Sequence, residues 1–150
     1  MSPILSTTVR TRPSPQDQFH ELSFYTLAHP DTVYFIHQHA VDAFAAQTAD
    51  ENTKPIKLTF GLIGLYLFLE KGYTGKQVQN AHVKLSQNKK VWPSLELPEH
   101  RGAVTISEVL QAEAGEPRDL MIKKWCESVR AGYESWQQAI ANLVRAELNV

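Results

Sequence analysis

Cysteine is scarce in this sequence, and its scarcity limits the class of protein. One cysteine, Cys126, occurs among the 150 residues. An internal disulfide framework, of the kind that stabilises small secreted domains, is therefore excluded. The N-terminus also lacks an apolar run of signal-peptide length. We therefore predict a reducing compartment and a cytoplasmic location.

Excess charge of one sign and long apolar runs are also missing. The formal net charge is -1, and no block of lysine and arginine stands out, which argues against general binding to nucleic-acid phosphates. The most apolar run, residues 56–69, spans roughly 14 residues, whereas a helix needs about 20 to cross a bilayer. The partners we expect are a small molecule or a second copy of the chain, not nucleic acid or a membrane.

Alternating strand patterns are absent except for a few residues around 103–106, whereas spacings of three and four residues between apolar positions are frequent. A mobile N-terminal arm is predicted over residues 1–15 from its serine, threonine and proline content. Residues 16–150 are predicted to form one all-α domain, a bundle of about five or six helices with a central apolar helix and a long C-terminal helix.

Caps and breakers predict the helix limits. Pro55 suits a first helical position, Gly72 a helix end, and Thr74 and Thr105 each begin a capping box. Gly61 and Gly64, inside the third helix, are interpreted as a close approach to a neighbouring helix. The predicted helices are Asp17–Ala28, Asp31 or Thr32 to Ala49, Pro55–Lys71, Thr74–Gln87, Thr105–Glu113 and Pro117–Leu148, the last bent or broken at Gly132.

The segment IHQHAVDAFAAQ, residues 36–47, places two histidines and an aspartate in an apolar run. Successive helical residues rotate by about 100°, so His37 and His39 point to opposite sides and cannot form a chelate alone. We expect His37 on the inner, apolar stripe beside Phe44. His39 and Asp42 would lie on the other side, either as a solvated ion pair or facing a neighbouring helix.

Histidines at inner positions of several helices predict a site between those helices. His37 and His82 are expected to meet across the bundle, with His20 at the inner edge of the first helix. The predicted metal ligands are His37, His82 and His39, and a divalent transition metal such as zinc, iron or nickel suits imidazole. Asp42 and Gln47 are predicted to bind or orient the cofactor. Alternatively, these histidines are core residues that hydrogen-bond to a carbonyl or a carboxylate.

Two functional classes remain open at this point. If the protein is an enzyme, a metal-activated water is the expected mechanism, because the chain offers no other activated nucleophile; no catalytic residue is assigned. The rival is a non-catalytic binding or homo-oligomerisation module, with a homodimer formed through the third helix or the long C-terminal helix.

A motif in the second helix resembles one in an uncharacterised, mainly bacterial family catalogued only as a domain of unknown function. The motif reads His37-x-x-x-Val41-Asp42-Ala43-Phe44-x-x-Gln47. The resemblance extends over about residues 19–136 and implies that His37, Asp42 and Gln47 are the positions to test. It brings no known reaction.

The chain departs from the family pattern at two places. Family members often follow the glutamine with histidine and glycine, whereas Thr48 and Ala49 stand here. A histidine that many members carry in the next helix has no counterpart in residues 58–63. On this comparison, His39 and His82 are the histidines that would compensate.

Overall fold

The computed structural model describes residues 13–88 and 90–150, and this part of the chain is an all-α bundle without strands. Its seven α-helices and one short 3₁₀ turn confirm the predicted fold class. The predicted arm lies outside the described residues as far as residue 12. The helices are α1 (Pro15–Leu27), α2 (Ile36–Gln47), α3 (Pro55–Lys71), α4 (Gly75–Ser86), α5 (Ile106–Gln111), α6 (Glu116–Gly132) and α7 (Gln137–Leu148), with the 3₁₀ turn at Glu134–Trp136.

Local sequence signals account for most of the helix ends. Ser14 and Thr74 form capping boxes with Asp17 and Gln77 at the starts of α1 and α4. Gly72 ends α3 in the left-handed conformation, with φ of 69°, which only glycine adopts at little cost. These short-range hydrogen bonds are predictable because each partner lies within three residues.

The second helix begins later than predicted. Asp31 accepts a hydrogen bond from the backbone of Tyr34 and starts one turn, but Phe35 is in the left-handed region, with φ of 52°, and interrupts the helix. The carbonyls of Tyr34 and Phe35 instead lie against Gly75 at the start of α4, where a Cβ atom would be 1.7 Å from the Phe35 oxygen. A tertiary contact therefore sets this helix start at Ile36.

Two central helices, α2 and α3, organise the bundle. In the described chain α2 contacts α1, α3, α4 and α6, and α3 contacts α2, α4, α6 and α7. Gly61 and Gly64 bring the two together, because Cβ atoms there would lie 3.2 Å and 1.9 Å from atoms of Asp42. The prediction that these glycines mark close helix packing is confirmed. A homodimer through α3 or the C-terminal helices stays a prediction.

The predicted long C-terminal helix is broken at Gly132, as the sequence allowed. A Cβ atom at Gly132 would lie 2.7 Å from the Arg101 Cα atom, so the loop before α5 packs directly on this point. A 3₁₀ turn then redirects the chain into α7. This break lets α7 pack on α3 and α4.

The buried face of α1 is formed by Leu22 and Thr26, whereas Phe24 and Leu27 are 82% and 60% exposed. Helix α1 crosses both α2 and α5, and the positions between those two neighbours become buried. His20, predicted near the inner edge, is exposed and hydrogen-bonds to Gln16.

Candidate functional site

The polar residues of α2 are more deeply buried than the apolar stripe implied. His39 is 0% exposed and Asp42 2% exposed. Of the two expected arrangements, the solvated ion pair is therefore wrong, and both residues face neighbouring helices, which was the alternative. Helix α2 has neighbours on most of its sides. An amphipathic stripe exists only where one face of a helix is solvated, which is why periodicity failed here.

Asp42, Gln38 and His82 form a hydrogen-bonded chain between α2 and α4. The Gln38 amide nitrogen lies 3.1 Å from Asp42 Oδ1 and 3.5 Å from His82 Nδ1. On the other side of the ring, His82 Nε2 donates to the Phe60 carbonyl of α3 over 2.9 Å. Because a carbonyl only accepts, Nε2 carries the proton and Nδ1 is the acceptor. His82 and Asp42 are 3.9 Å apart at Nε2 and Oδ1.

The second carboxylate oxygen of Asp42 has no hydrogen-bond partner among the described residues. It points at Gly64, where any side chain would collide with it. Burial raises the pKa of Asp42 well above its usual range, and the Gln38 hydrogen bond opposes this only in part. Burial therefore favours the neutral acid over the carboxylate more strongly than in water.

The imidazole of His39 packs against two aromatic rings. It stacks on Phe68, with ring centroids 3.6 Å apart and an interplanar angle of 12°, and it meets the edge of Tyr34 at 5.4 Å. Neither ring nitrogen has a hydrogen-bond partner within the described chain. Burial lowers the pKa of His39 to about 4, so the ring is neutral near pH 7.

His37 and His82 are not brought together. His37 is half-buried against α1, where its Nδ1 atom lies 2.8 Å from the Thr26 hydroxyl oxygen and its ring lies near Phe19. Burial lowers the pKa of both histidines, and the Phe60 carbonyl opposes this at His82. Where His37 was expected to face His82, the structure has Gln38 and Asp42.

Gln47, at the end of α2, is hydrogen-bonded on both sides of its amide. Its nitrogen donates to the carbonyls of Arg101 and Val104, at 3.2 Å and 2.8 Å. Its oxygen accepts from the Trp125 indole over 2.8 Å. The residue predicted to bind a cofactor therefore fixes the 101–104 segment to α2 and α6.

Gln47 also forms part of the floor of an open groove of about 470 Å³. We call it the Gln47 groove. It lies between the start of α1, the end of α2 and the segment that leads into α5. The residues that line it include Gln18, Phe44, Gln47, Thr48, Glu99, Arg101, Thr105, Ile106 and Ser107.

The described residues contain no preformed set of ligands for the predicted metal ion. Among the described residues, no group of three or more histidine, cysteine, aspartate or glutamate side chains stands close enough to hold a metal ion. His39, Asp42 and His82 surround the junction of α2, α3 and α4 without converging on one point. The assignment of His37, His82 and His39 as metal ligands stays a prediction.

A family model described as "Family of unknown function (DUF5946)" matches residues 7–136. The chain belongs to this family. No curated protein and no solved structure is detectably similar to this chain. Within the described part of this DUF5946 protein, no helix has the length and apolar character needed to cross a membrane.

Sequence reasoning missed Gln38, Arg101 and Trp125 as partners of the α2 residues. Gln38 could have been found, because it lies four residues before Asp42 and such pairs meet on one helix face. Arg101 and Trp125 lie 54 and 78 residues from Gln47. No local pattern reports contacts over such separations.

Proposed function

We propose that this protein is a non-catalytic binding module whose site for a small organic molecule is the Gln47 groove. The observation that carries the proposal is a groove of about 470 Å³ whose polar floor and walls are fixed by hydrogen bonds inside the protein. Ligand sites in proteins are commonly largely preformed clefts of about 300–1,000 Å³.

The 101–104 wall of the groove is rigidly attached. Gln47 donates hydrogen bonds to two backbone carbonyls of this wall, those of Arg101 and Val104. Ser128 Oγ accepts a hydrogen bond from the backbone N–H of Val104 over 3.0 Å. Gly102, with φ of 103°, packs so closely on Ser128 that a Cβ atom would be 2.5 Å from its Oγ atom. A preorganised wall lowers the entropic cost of binding.

The opposite wall of the groove, formed by α1 and the start of α5, is also held in place by contacts within the protein. Gln18 of α1 donates to Ser107 Oγ of α5 over 2.6 Å, and Phe44 stacks on Phe19 with ring centroids 4.4 Å apart. Two other open hollows, of about 300 Å³ beside Lys84 and about 340 Å³ beside Glu127, are smaller and contain none of the α2 motif residues.

Backbone amide NMR with a library of small fragments tests the proposal. Hits are expected to shift the signals of Thr105 and Ser107 in a saturable way. Thr48→Trp places a bulky ring on the groove wall and should abolish these shifts, whereas Thr32→Trp, at another exposed threonine, should not. Hits that map elsewhere, or that survive Thr48→Trp, would refute the groove as the site.

A second candidate function, binding of a divalent transition metal by His39, Asp42 and His82, is favoured by a different observation. Both His39 nitrogens and one Asp42 oxygen are buried without a partner in the described chain, and imidazole with carboxylate suits such metals. It ranks second, because His39 would have to leave its stack on Phe68.

Elemental analysis of protein purified without a histidine tag tests the second candidate. A stoichiometric metal that is lost in Asp42→Ala and His82→Ala, and retained in a control at exposed His20, would support it. Metal below one-tenth of stoichiometry, together with a melting temperature unchanged by added zinc, iron or nickel, would exclude it.

We also infer a cytoplasmic location. The single cysteine supports it, because one cysteine cannot form the internal disulfide framework that is common in small secreted domains, and Cys126 is buried as a free thiol. Fractionation of cells that express the full chain would test the location, and recovery outside the cytoplasm would overturn it.

A further inference from the structure

We infer that the ligand of the Gln47 groove is a neutral polyhydroxylated molecule, such as a monosaccharide or a sugar alcohol. This inference rests on the proposed function and adds the chemical class of the ligand. It follows from how the charged and polar side chains of the groove are already used within the fold.

The cationic side chain in the groove, that of Arg101, is bonded to the protein through one of its three nitrogens. Arg101 donates through Nη1 to the backbone carbonyls of Gln47 and Ala49 at the C-terminal end of α2. The Gln47 carbonyl is one that the helix itself leaves without a partner, and such carbonyls carry the negative end of the helix. The guanidinium therefore balances a charge inside the fold, which weakens it as a receptor for an anionic ligand.

The anionic side chain of the groove is exposed to solvent. Glu99 lines the groove but belongs to the exposed class, and attraction to such a charge is strongly screened by water and salt. The groove lining thus contains one cationic and one anionic side chain, Arg101 and Glu99, so neither sign of charge is in excess to select an ion.

Neutral polar groups supply the remaining hydrogen-bonding capacity. The hydroxyls of Thr48 and Thr105, two residues that line the groove, donate to the Phe44 carbonyl and the Glu108 carboxylate, so each oxygen keeps capacity to accept a hydrogen bond. Ser107 Oγ accepts from Gln18 and retains a proton to donate. A hydroxyl both donates and accepts, so a polyhydroxylated ligand matches this mixture.

An apolar strip completes the match. The half-buried ring of Phe44 and the buried side chain of Ile106 line the same groove. The carbon-bound hydrogens of a sugar ring form an apolar face that packs on such a strip while its hydroxyls turn to the walls. A charged ligand of the same size would gain less, because the lining has no excess of opposite charge to offset the hydration that the ligand loses.

The experiment is an amide NMR titration of the full chain with named probes. D-glucose and sorbitol are expected to shift Thr105 and Ser107 saturably, and 0.5 M salt should leave their affinities unchanged. Citrate, spermidine and glycine betaine, the anionic, cationic and zwitterionic probes, should bind at least 10-fold more weakly. Gln18→Ala should weaken sugar binding about 5-fold, as expected for a lost hydrogen bond of about 1 kcal/mol.

Gln16→Ala is the matched control, since Gln16 lies on the same helix but outside the groove, and it should bind sugar like the wild type. Groove binding by a charged probe but not by sugars would overturn the inference and leave the proposed function standing. If neither these probes nor any fragment shifts groove residues, the proposed function fails as well. Sugar binding that is equal in Gln18→Ala and Gln16→Ala would also refute the inference.

Discussion

The C-terminal end of α2 and its middle turn both bury polar side chains, but they satisfy them differently. At the C-terminal end, Gln47 uses both sides of its amide to hold the loop and α6. In the middle turn, His39 and Asp42 leave three buried atoms without partners among the described residues. Each such atom costs about 1–3 kcal/mol. The first arrangement therefore stabilises the fold, and the second lowers its stability.

The largest expected loss of stability comes from a substitution that disrupts the packing of the middle turn of α2. Gly64→Ala places a methyl group 1.9 Å from Asp42 Oδ2, and because Asp42 is buried, the helices must move apart. We expect a loss of about 3 kcal/mol in the free energy of unfolding, as for an overpacked core. Urea denaturation measures it.

Gly61→Ala is the control, because its Cβ atom would lie 3.2 Å from the Asp42 carbonyl and the gain in helix propensity, about 1 kcal/mol, offsets the tighter contact. Equal losses for the two variants would contradict this account. Adding Asp42→Ala to Gly64→Ala should restore part of the lost stability, since it removes the colliding carboxylate.

The next largest expected loss of stability comes from a substitution at the C-terminal end of α2. Gln47→Ala removes three hydrogen bonds and leaves the Trp125 indole and two carbonyls without partners, so we expect a loss of about 2–3 kcal/mol. Thermal unfolding followed by tryptophan fluorescence measures it. Thr48→Ala, at the adjacent exposed residue, should cost about 0.5 kcal/mol or less. Similar losses for both would show that Gln47 does not hold the loop.

The pH dependence of stability would sharpen the comparison within the middle turn. Asp42 has a raised pKa in the folded state. Its contribution to the free energy of unfolding is therefore fully present below the pKa of Asp42 in the unfolded chain, near 4, and is lost as pH rises through the pKa of the folded state. His39 has a pKa lowered to about 4, so its contribution is present above about 6.5 and is lost as pH falls toward 4. The two effects oppose each other between pH 4 and 6.5.

Asp42→Asn should therefore reveal a rise in stability from pH 4 to 6.5, with a slope of up to about 1.4 kcal/mol per pH unit for one proton. His37 and His82, whose pKa values are also lowered by burial, act in the same direction as His39. Chemical denaturation at several pH values measures the slope. A profile identical to that of the wild type would mean that Asp42 does not bind a proton on folding.

The smallest effect compares the two histidines directly. His39→Phe keeps the stack on Phe68 and removes two unpartnered nitrogens, so it should stabilise the fold by about 1 kcal/mol at pH 7. His37→Phe removes the hydrogen bond to Thr26 and should destabilise it by about the same amount. Denaturant midpoints for the two variants should move in opposite directions. A loss of stability in both would indicate that His39 has a polar partner.

Much of the fold was predictable from local signals. The all-α class, the capping boxes at Thr74 and Thr105, the αL end at Gly72 and the break at Gly132 all follow from residues close in sequence. The predicted resemblance to a family of unknown function is also confirmed. These features depend on backbone conformation and nearby hydrogen bonds, which the sequence encodes directly.

The environment of the polar residues was not predictable in the same way. Periodicity placed His37 inside and His39 with Asp42 on another side, whereas His39 and Asp42 are the fully buried residues. A helix with one solvated face shows a stripe, but α2 packs against four helices, and its small alanines allow polar neighbours to be buried as well.

The sequence by itself determined which segments are helical, where most of them end and which helix contains the polar cluster. Only the tertiary structure decided which polar atoms receive partners. Gln47 is satisfied because α6 and the 101–104 segment reach it from distant parts of the chain, and Asp42 fits beside α3 because Gly64 has no side chain. Helix formation is local, whereas hydrogen-bond satisfaction in a core depends on what the rest of the chain brings to each position.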